Sequence, residues 1–344
     1  MITSDLVSTG VLAAIVTAIA TPAASAGARR LDVLDRPRGY KAHAEPTPLL
    51  GGVGVVMGLV GGVGAAVLRG SIAMEPALVA VSVGLFLIVA AGVIDDLDGL
   101  AVREKLAWQV AATALSGILL VLLGVRLELF LGGHTLLAAM LTVAWVVAIT
   151  NALNLLDNMN GLCAGLGAVA SIAFALYGTR AGASTAAFVA AGLAGSCLGF
   201  LPYNWPRARI FLGDTGSMAI GFALAAISVM GVYTSTARMP AIAILAPVIV
   251  LALPIADVVV VLVLRLAAGH PPWVGDRRHV SHRLVRRGVP PSLAVAVLWM
   301  VMACCGVIAM LLPAVDAQGA AWLIGAAVGI VGLTLAAAGT QGLD

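Results

Sequence analysis

Apolar residues run along this chain in long blocks, and polar residues fall between the blocks rather than alternating with them. Such blocks lie near 6–28, 49–68, 76–94, 106–124, 135–154, 162–179, 184–201, 215–235, 240–264, 292–312 and 320–340. Most have the about 20 residues that a helix needs to cross the hydrocarbon core. In lipid a helix satisfies its own backbone, so blocks of this length are expected to be spanning helices. The pattern predicts an all-α polytopic membrane protein with about 11 transmembrane helices. The second block, GGVGVVMGLVGGVGAA, places Gly54, Gly58 and Gly62 four residues apart. That spacing predicts close helix packing in lipid, not a nucleotide loop.

Composition agrees. Of 344 residues 61% are hydrophobic and 10% charged, with a mean hydropathy of +1.09. A soluble domain has no interior for so much apolar surface. Cys163, Cys197, Cys304 and Cys305 all lie in apolar runs without zinc spacing, so they are expected to be core thiols. The first block ends in PAASAGA, which looks like a cleavage site. Its leader, however, lacks Lys and Arg and carries Asp5, while Arg29 and Arg30 follow the block. A spanning helix fits better than a signal peptide.

The net charge of +3 says little, but its distribution says more. Of the 19 Lys and Arg residues, all but Arg69, Arg126, Arg180 and Arg238 fall in one set of alternate loops. The positive-inside rule places that set in the cytoplasm, with the N-terminus outside and the C-terminus inside. The cytoplasmic loops are then near 29–48, 95–105, 155–161, 202–214 and 265–291 of a single integral-membrane domain, 1–344. The polar clusters follow the same parity. All the chemistry faces one side, the cytoplasmic face of the cell membrane, where nucleotides are. No nucleic-acid partner is expected.

Five clusters stand out. In DDLDGL, Asp95, Asp96 and Asp98 gather at a membrane edge, where carboxylates need water, cations or a metal. A solvated helix end is the plain alternative. In NALNLLDNMNGL, Asn151, Asn154 and Asp157 recur every three residues along one helix face. Their hard oxygens suit Mg²⁺, although Asn residues also join helices to one another. In FLGDTGS, Asp214 precedes a long block. It is either an N-cap or a metal ligand where a helix N-terminus meets phosphate. In DRRHVSHRLVRRG, Arg277, His279, His282 and Arg283 offer donors that suit a pyrophosphate. Basic residues at such an edge also touch anionic lipid. In the first loop Lys41 and His43 stand before EPTP, a stiff turn suited to an anionic headgroup or serving as a connector. DDLDGLAVR partly resembles the CDP-alcohol phosphotransferase signature. That likeness ends within a few residues, because no further aspartate appears until Asp157.

Taken in order, RPRGYKAHAEPTPLLGG, DDLDGL, NALNLLDNMNGL, FLGDTGS and HVSHRL resemble the polyprenyl-phosphate N-acetylhexosamine-1-phosphate transferases over nearly the whole chain. The resemblance implies that a polyprenyl phosphate attacks the β-phosphorus of a UDP-amino sugar and releases UMP. Mg²⁺ bridges the pyrophosphate, and Mn²⁺ is able to substitute. Asp214 and Asn154 are the implied metal ligands. Asp95, Asp96 and Asp157 form the implied catalytic set, with Asp95 or Asp96 orienting or deprotonating the lipid phosphate. The implied substrate-binding set is Lys41, His43, Asp98, Lys105, Asn151, Asn160, Arg277, His279, His282 and Arg283. Within it Lys105 meets phosphates and Asn160 reads the uracil.

Two departures matter. The family's Asp-Gly-x-Asp-Gly reads DNMNG here, so Asn158 and Asn160 replace Gly and Asp. Ser281 stands where HxHH initiators carry a further histidine. The absence of consecutive histidines favours the GlcNAc-phosphate branch over the muramyl-pentapeptide translocases. A secondary transporter is the rival from another class, but it would place polar groups near the bilayer midplane. The oligomeric state is open, a homodimer included.

Overall fold

Ten helices among the described residues are long and apolar enough to cross a bilayer, and an eleventh span is broken. The computed structural model describes residues 2–36, 46–98, 102–125, 135–231, 241–269 and 278–339. Its long helices are α1 (Ile2–Arg30), α2 (Gly51–Leu68), α3 (Pro76–Asp98), α4 (Val102–Leu122), α5 (Thr135–Leu155), α6 (Leu162–Ala181), α7 (Ser184–Asn204) and α8 (Gly213–Met230). Two short helices, α9 (Ala246–Val250) and α10 (Ala252–Ala267), and the seven-residue α11 (Val280–Arg286) lead to α12 (Pro291–Leu311) and α13 (Ala317–Ala338). Strands β1 (Leu34–Asp35) and β2 (Thr47–Pro48) pair antiparallel, Leu34 opposite Pro48.

The block expected as one span over 240–264 differs. Its two parts, Ile242–Val250 and Ala252–Ala267, meet at 66°. Pro254 has no N–H to offer the Val250 carbonyl four residues back, and its ring crowds that carbonyl. Counted as one span, the broken pair brings the total to eleven.

The α1–α2 seam explains the glycines of the second block. A side chain at Gly54 or Gly62 would enter Thr21 or Ala13 of α1. These small residues repeat every four positions on both helices, so the backbones approach closely, as lipid-embedded interfaces require. At the centre, α8 is buried along nearly its whole length. It packs against α2, α3, α5, α6 and α7. Its first turn therefore meets the ends of several neighbours, and those are the ends that carry the polar motifs. The opposite end holds plainer contacts. There Arg69 donates to Thr9 at 3.2 Å and Thr185 to Glu75 at 3.3 Å.

Candidate active site

The site is built on the first turn of α8. Gly213 opens that turn with φ +72°, and any side chain there would strike the Asp96 carboxylate. Asp96, from the end of α3, reaches across to this turn. It accepts from the backbone N–H of Asp214 at 2.9 Å, from Thr215 N–H at 3.1 Å and from Thr215 Oγ1 at 2.6 Å. A carboxylate at a helix N-terminus satisfies orphan N–H groups and meets the positive end of the dipole. The helix N-terminus that the sequence offered to a phosphate is thus filled by Asp96. Asp214 is not the cap of its own helix: Leu212 takes the N-cap position.

Asp214 is held out of that turn towards α4 and α5. It pairs with Lys105, and Asn154 Nδ2 donates to its Oδ1 at 2.7 Å. Lys105 Nζ also lies 3.0 Å from Asp95 Oδ2, so the ammonium bridges two carboxylates. Asn154 donates to Ser217 Oγ as well, at 2.9 Å. In this arrangement Asn154 offers Asp214 its N–H, whereas a metal ligand uses Oδ1. Asp157, in the turn after α5, completes the group. Burial, with the charges of Asp214 and Asp96 adding to it, pushes its carboxyl up to about 8, while Lys105 pulls the other way.

Four carboxylates and one lysine thus gather at the first turn of α8. The excess negative charge, and the hard oxygen chemistry of the donors, fit a small divalent cation. No three His, Cys, Asp or Glu side chains among the described residues form a ready-made metal cluster. Mg²⁺ does not need one, since it is usually held by one or two carboxylates together with water and substrate phosphates.

The remaining expected residues fall into three groups. Asn160 lies three residues after Asp157 in the α5–α6 turn and donates to the Pro206 carbonyl at 3.4 Å. Asn151 turns back onto its own helix, donating to the Val147 carbonyl at 2.8 Å. His279, His282 and Arg283 belong to α11 and its cap. This segment is tied to the α5–α6 turn by Ser281 Oγ, which donates to Asn158 Oδ1 at 2.7 Å. Arg283 faces away, giving hydrogen bonds to the Gly339 and Leu335 carbonyls at 2.9 and 3.5 Å. It closes the end of α13, and burial holds its guanidinium below the usual value while Asp257 pulls upward. Lys41, His43 and Arg277 lie outside the described residues, as does the side chain of Asp98. The first-loop motif nevertheless ends at the site, because Phe211 N–H donates to Pro48 O at 2.8 Å and Gly52 N–H to Leu212 O at 2.8 Å.

Three functional candidates escaped the sequence reading. Gln109 of α4 approaches Asn154 Oδ1 and Asp214 Oδ1, each at 3.4 Å. Its signal was a position four residues after Lys105, one helical turn along. Asn204 at the end of α7 accepts from Gly161 N–H at 2.6 Å and donates to Ile210 O at 3.0 Å, bracing the α5–α6 turn against the loop before α8. Asp257 of α10 is fully buried beside His279, with Oδ2 2.6 Å from Nδ1. A carboxylate within an apolar block is itself a signal of a functional position.

A bundle of spanning helices thus gathers carboxylates, amides and a lysine at one end. Residues 78–232 match the family described as Glycosyl transferase family 4. The chain is 33% identical over 325 residues to the decaprenyl-phosphate N-acetylglucosaminephosphotransferase of Mycobacterium tuberculosis (strain ATCC 25618 / H37Rv), covering 86% of this chain and 80% of that protein. It is 31% identical over 293 residues to the "Probable undecaprenyl-phosphate N-acetylglucosaminyl 1-phosphate transferase" of Bacillus subtilis (strain 168), covering 82% and 78%. A phospho-N-acetylmuramoyl-pentapeptide-transferase of Moorella thermoacetica is 35% identical over 244 residues, covering 64% and 74%. The chain belongs to glycosyl transferase family 4, as a multi-pass membrane phosphoglycosyltransferase of the polyprenyl-phosphate N-acetylhexosamine-1-phosphate transferase group.

Proposed function

We propose that this protein transfers GlcNAc-1-phosphate from UDP-GlcNAc to a polyprenyl phosphate at the cytoplasmic leaflet, releasing UMP, as the first membrane step of a cell-envelope glycan. The observation that carries this reading is the meeting of Asp95, Lys105, Asn154, Asp157 and Asp214 around one helix end. The names of the relatives that match over most of the chain supply the sugar. The excess of Lys and Arg in the loops at the motif-bearing ends supports a cytoplasmic site.

A phosphate oxygen of the lipid forms a bond to the β-phosphorus, and the bond from that phosphorus to the bridging oxygen of UMP breaks. Such a transfer depends on positioning and charge neutralisation more than on covalent help from the protein. Lys105 meets the phosphate charge. A phosphate monoester loses its second proton at a pH of about 6, so the nucleophile is already largely dianionic near neutrality. Asp95 therefore orients it and takes any remaining proton, whereas Asp96 holds the first turn of α8. Asp214, with Asn154 and Asp157 beside it, would hold Mg²⁺ or Mn²⁺. When bound, the ion supplies neutralisation of the pyrophosphate and lowers the repulsion among the carboxylates.

The muramyl-pentapeptide likeness over 64% of the chain keeps a second sugar substrate in view. Membership of a transferase family sets the transporter reading aside. Purified protein in detergent, given undecaprenyl phosphate, Mg²⁺ and a panel of UDP-sugars, is expected to release UMP fastest with UDP-GlcNAc. Faster release with UDP-MurNAc-pentapeptide would replace the sugar assignment. No release with any UDP-sugar would end the transferase reading for this chain.

A further inference from the structure

We propose that Asp257 is a positioning residue for the transfer reaction, fixing the ring orientation and tautomer of His279. The inference rests on the proposed transferase function together with the family resemblance, which implies that His279 binds substrate. Asp257 is fully buried in α10 and His279 is 3% exposed. Both carboxylate oxygens are used. Oδ2 meets His279 Nδ1 at 2.6 Å, and Oδ1 accepts from Val280 N–H at 2.7 Å. Val280 is the first residue of α11, so one side chain anchors the start of that helix and grips the imidazole that precedes it.

The anchoring alone does not call for a charge. An Asn oxygen would accept from Val280 N–H equally well, and an ionised carboxylate deep in an apolar helix is costly to keep. The extra element is the ring contact. A carboxylate only accepts, so it places the proton on Nδ1 and leaves Nε2 as the nitrogen that meets a substrate. The short separation is that of a charge-assisted hydrogen bond. Arg283 is a cation close to Asp257, and its hydrogen bonds of 2.9 and 3.5 Å go to α13 and its end. The ring held by Asp257 lies two residues from Ser281, which bonds to Asn158 beside Asp157. The orientation of His279 is thereby linked to the catalytic turn.

The test uses full-length protein in detergent. The chain has five histidines, so selective ring-nitrogen labelling gives a readable NMR spectrum, with the His279 signal assigned by its loss in His279→Gln. Wild-type His279 is expected to carry a proton on Nδ1. In Asp257→Asn the amide N–H faces that nitrogen, so the proton moves to Nε2, and the kcat/KM of UMP release falls about 10- to 100-fold. A purely structural role for Asp257 would lower thermal stability without moving the tautomer. An unprotonated Nδ1 in the wild type overturns the proposal, and so does a folded Asp257→Asn with wild-type turnover. If Asp257→Asn does not fold, the wild-type spectrum still decides. Wild-type protein that releases no UMP with any UDP-sugar overturns the transferase reading instead, leaving the tautomer measurement to judge the Asp257 contact by itself.

Discussion

Two acidic environments in this molecule are balanced in opposite ways. Around the first turn of α8, the carboxylates of Asp95, Asp96, Asp157 and Asp214 gather with Lys105, which pairs with Asp95 and Asp214. At the start of α11, the single carboxylate of Asp257 is matched by one imidazole and one backbone N–H, all buried. Unmatched charge in a low-dielectric setting repels itself and favours whatever cation or charged ligand relieves it. Matched charge has no such demand, and what it does is hold a geometry. The first environment is therefore suited to binding and the second to aiming. Even inside the first the two functions separate, because Asp96 is consumed by the backbone and hydroxyl of the α8 turn while, among the described residues, the carboxylates of Asp95 and Asp214 meet side chains.

The largest effect is expected at Asp214. Asp214→Asn keeps the shape but removes the charge that faces Lys105 and is placed to hold a cation. UMP release under saturating Mg²⁺ should fall about a thousandfold while thermal unfolding stays close to wild type. An activity loss below tenfold would remove Asp214 from the centre of the site.

Next come the adjacent aspartates, which should part company. Asp95→Asn is expected to lower turnover about a hundredfold with little change in melting temperature, because Asp95 holds no backbone group. Asp96→Asn weakens charge-assisted bonds to the first turn of α8 and should cost about 2 kcal/mol of stability as well as activity. Thermal unfolding of both variants, measured beside UMP release, checks the split. Equal melting temperatures would show that Asp96 is not the anchor described here.

Much of this was legible in the sequence, and the part that was not has physical causes. Block length and the positions of the loops predicted the helices, because in lipid a spanning segment has few alternatives to a helix. The break at Leu251 was hidden because Pro247 and Pro254 sit in a block whose length alone suits a single span. At the site, DDLDGL and FLGDTGS pointed to adjacent carboxylates without saying which one carries the backbone of α8. That distinction depends on the close approach of α3 to α8, where a side chain at Gly92 would run into Thr215. Arg283 reads as a substrate ligand because its guanidinium suits a pyrophosphate and it stands in the HVSHRL motif, whereas in the structure its hydrogen bonds lead to α13 and its end. Asp257 was missed because it is isolated in sequence, and its partner lies 22 positions away.

Two of the three residues that depart from the family pattern, Asn158 and Ser281, are seen in the structure to touch each other. They link the binding region to the aiming region, so they should behave as a pair. Ser281→His alone places a larger ring against Asn158 and is expected to cut activity several-fold. Adding Asn158→Gly removes the obstructing amide, and the double variant should recover part of that loss. The coupling should be about 1 kcal/mol, the scale of one hydrogen bond between contacting residues. Additive losses would mean that the contact couples nothing.

The smallest effect separates the two environments by pH. Asp157 titrates near 8 in the folded protein, against an ordinary value of 3.8. A raised carboxyl favours its protonated form, so the folded state loses stability as pH rises from the unfolded value through the folded one. Below a pH of about 4 both states are protonated and Asp157 contributes nothing. Above a pH of about 8 its ionised form opposes folding in full. Asp157→Asn removes this burden. Because part of the side chain's surface is open, the gain is on the order of 1 kcal/mol. In chelator-treated protein the variant should therefore melt a few degrees above wild type at alkaline pH and level with it at acid pH. Mg²⁺ should shrink the difference, since a cation beside Asp157 favours the ionised form that burial opposes. The same comparison with Asp257→Asn should run the other way, losing stability rather than gaining it, because that carboxylate already has its partners. If both variants shifted in the same direction, the contrast between unmatched and matched charge would not describe this protein.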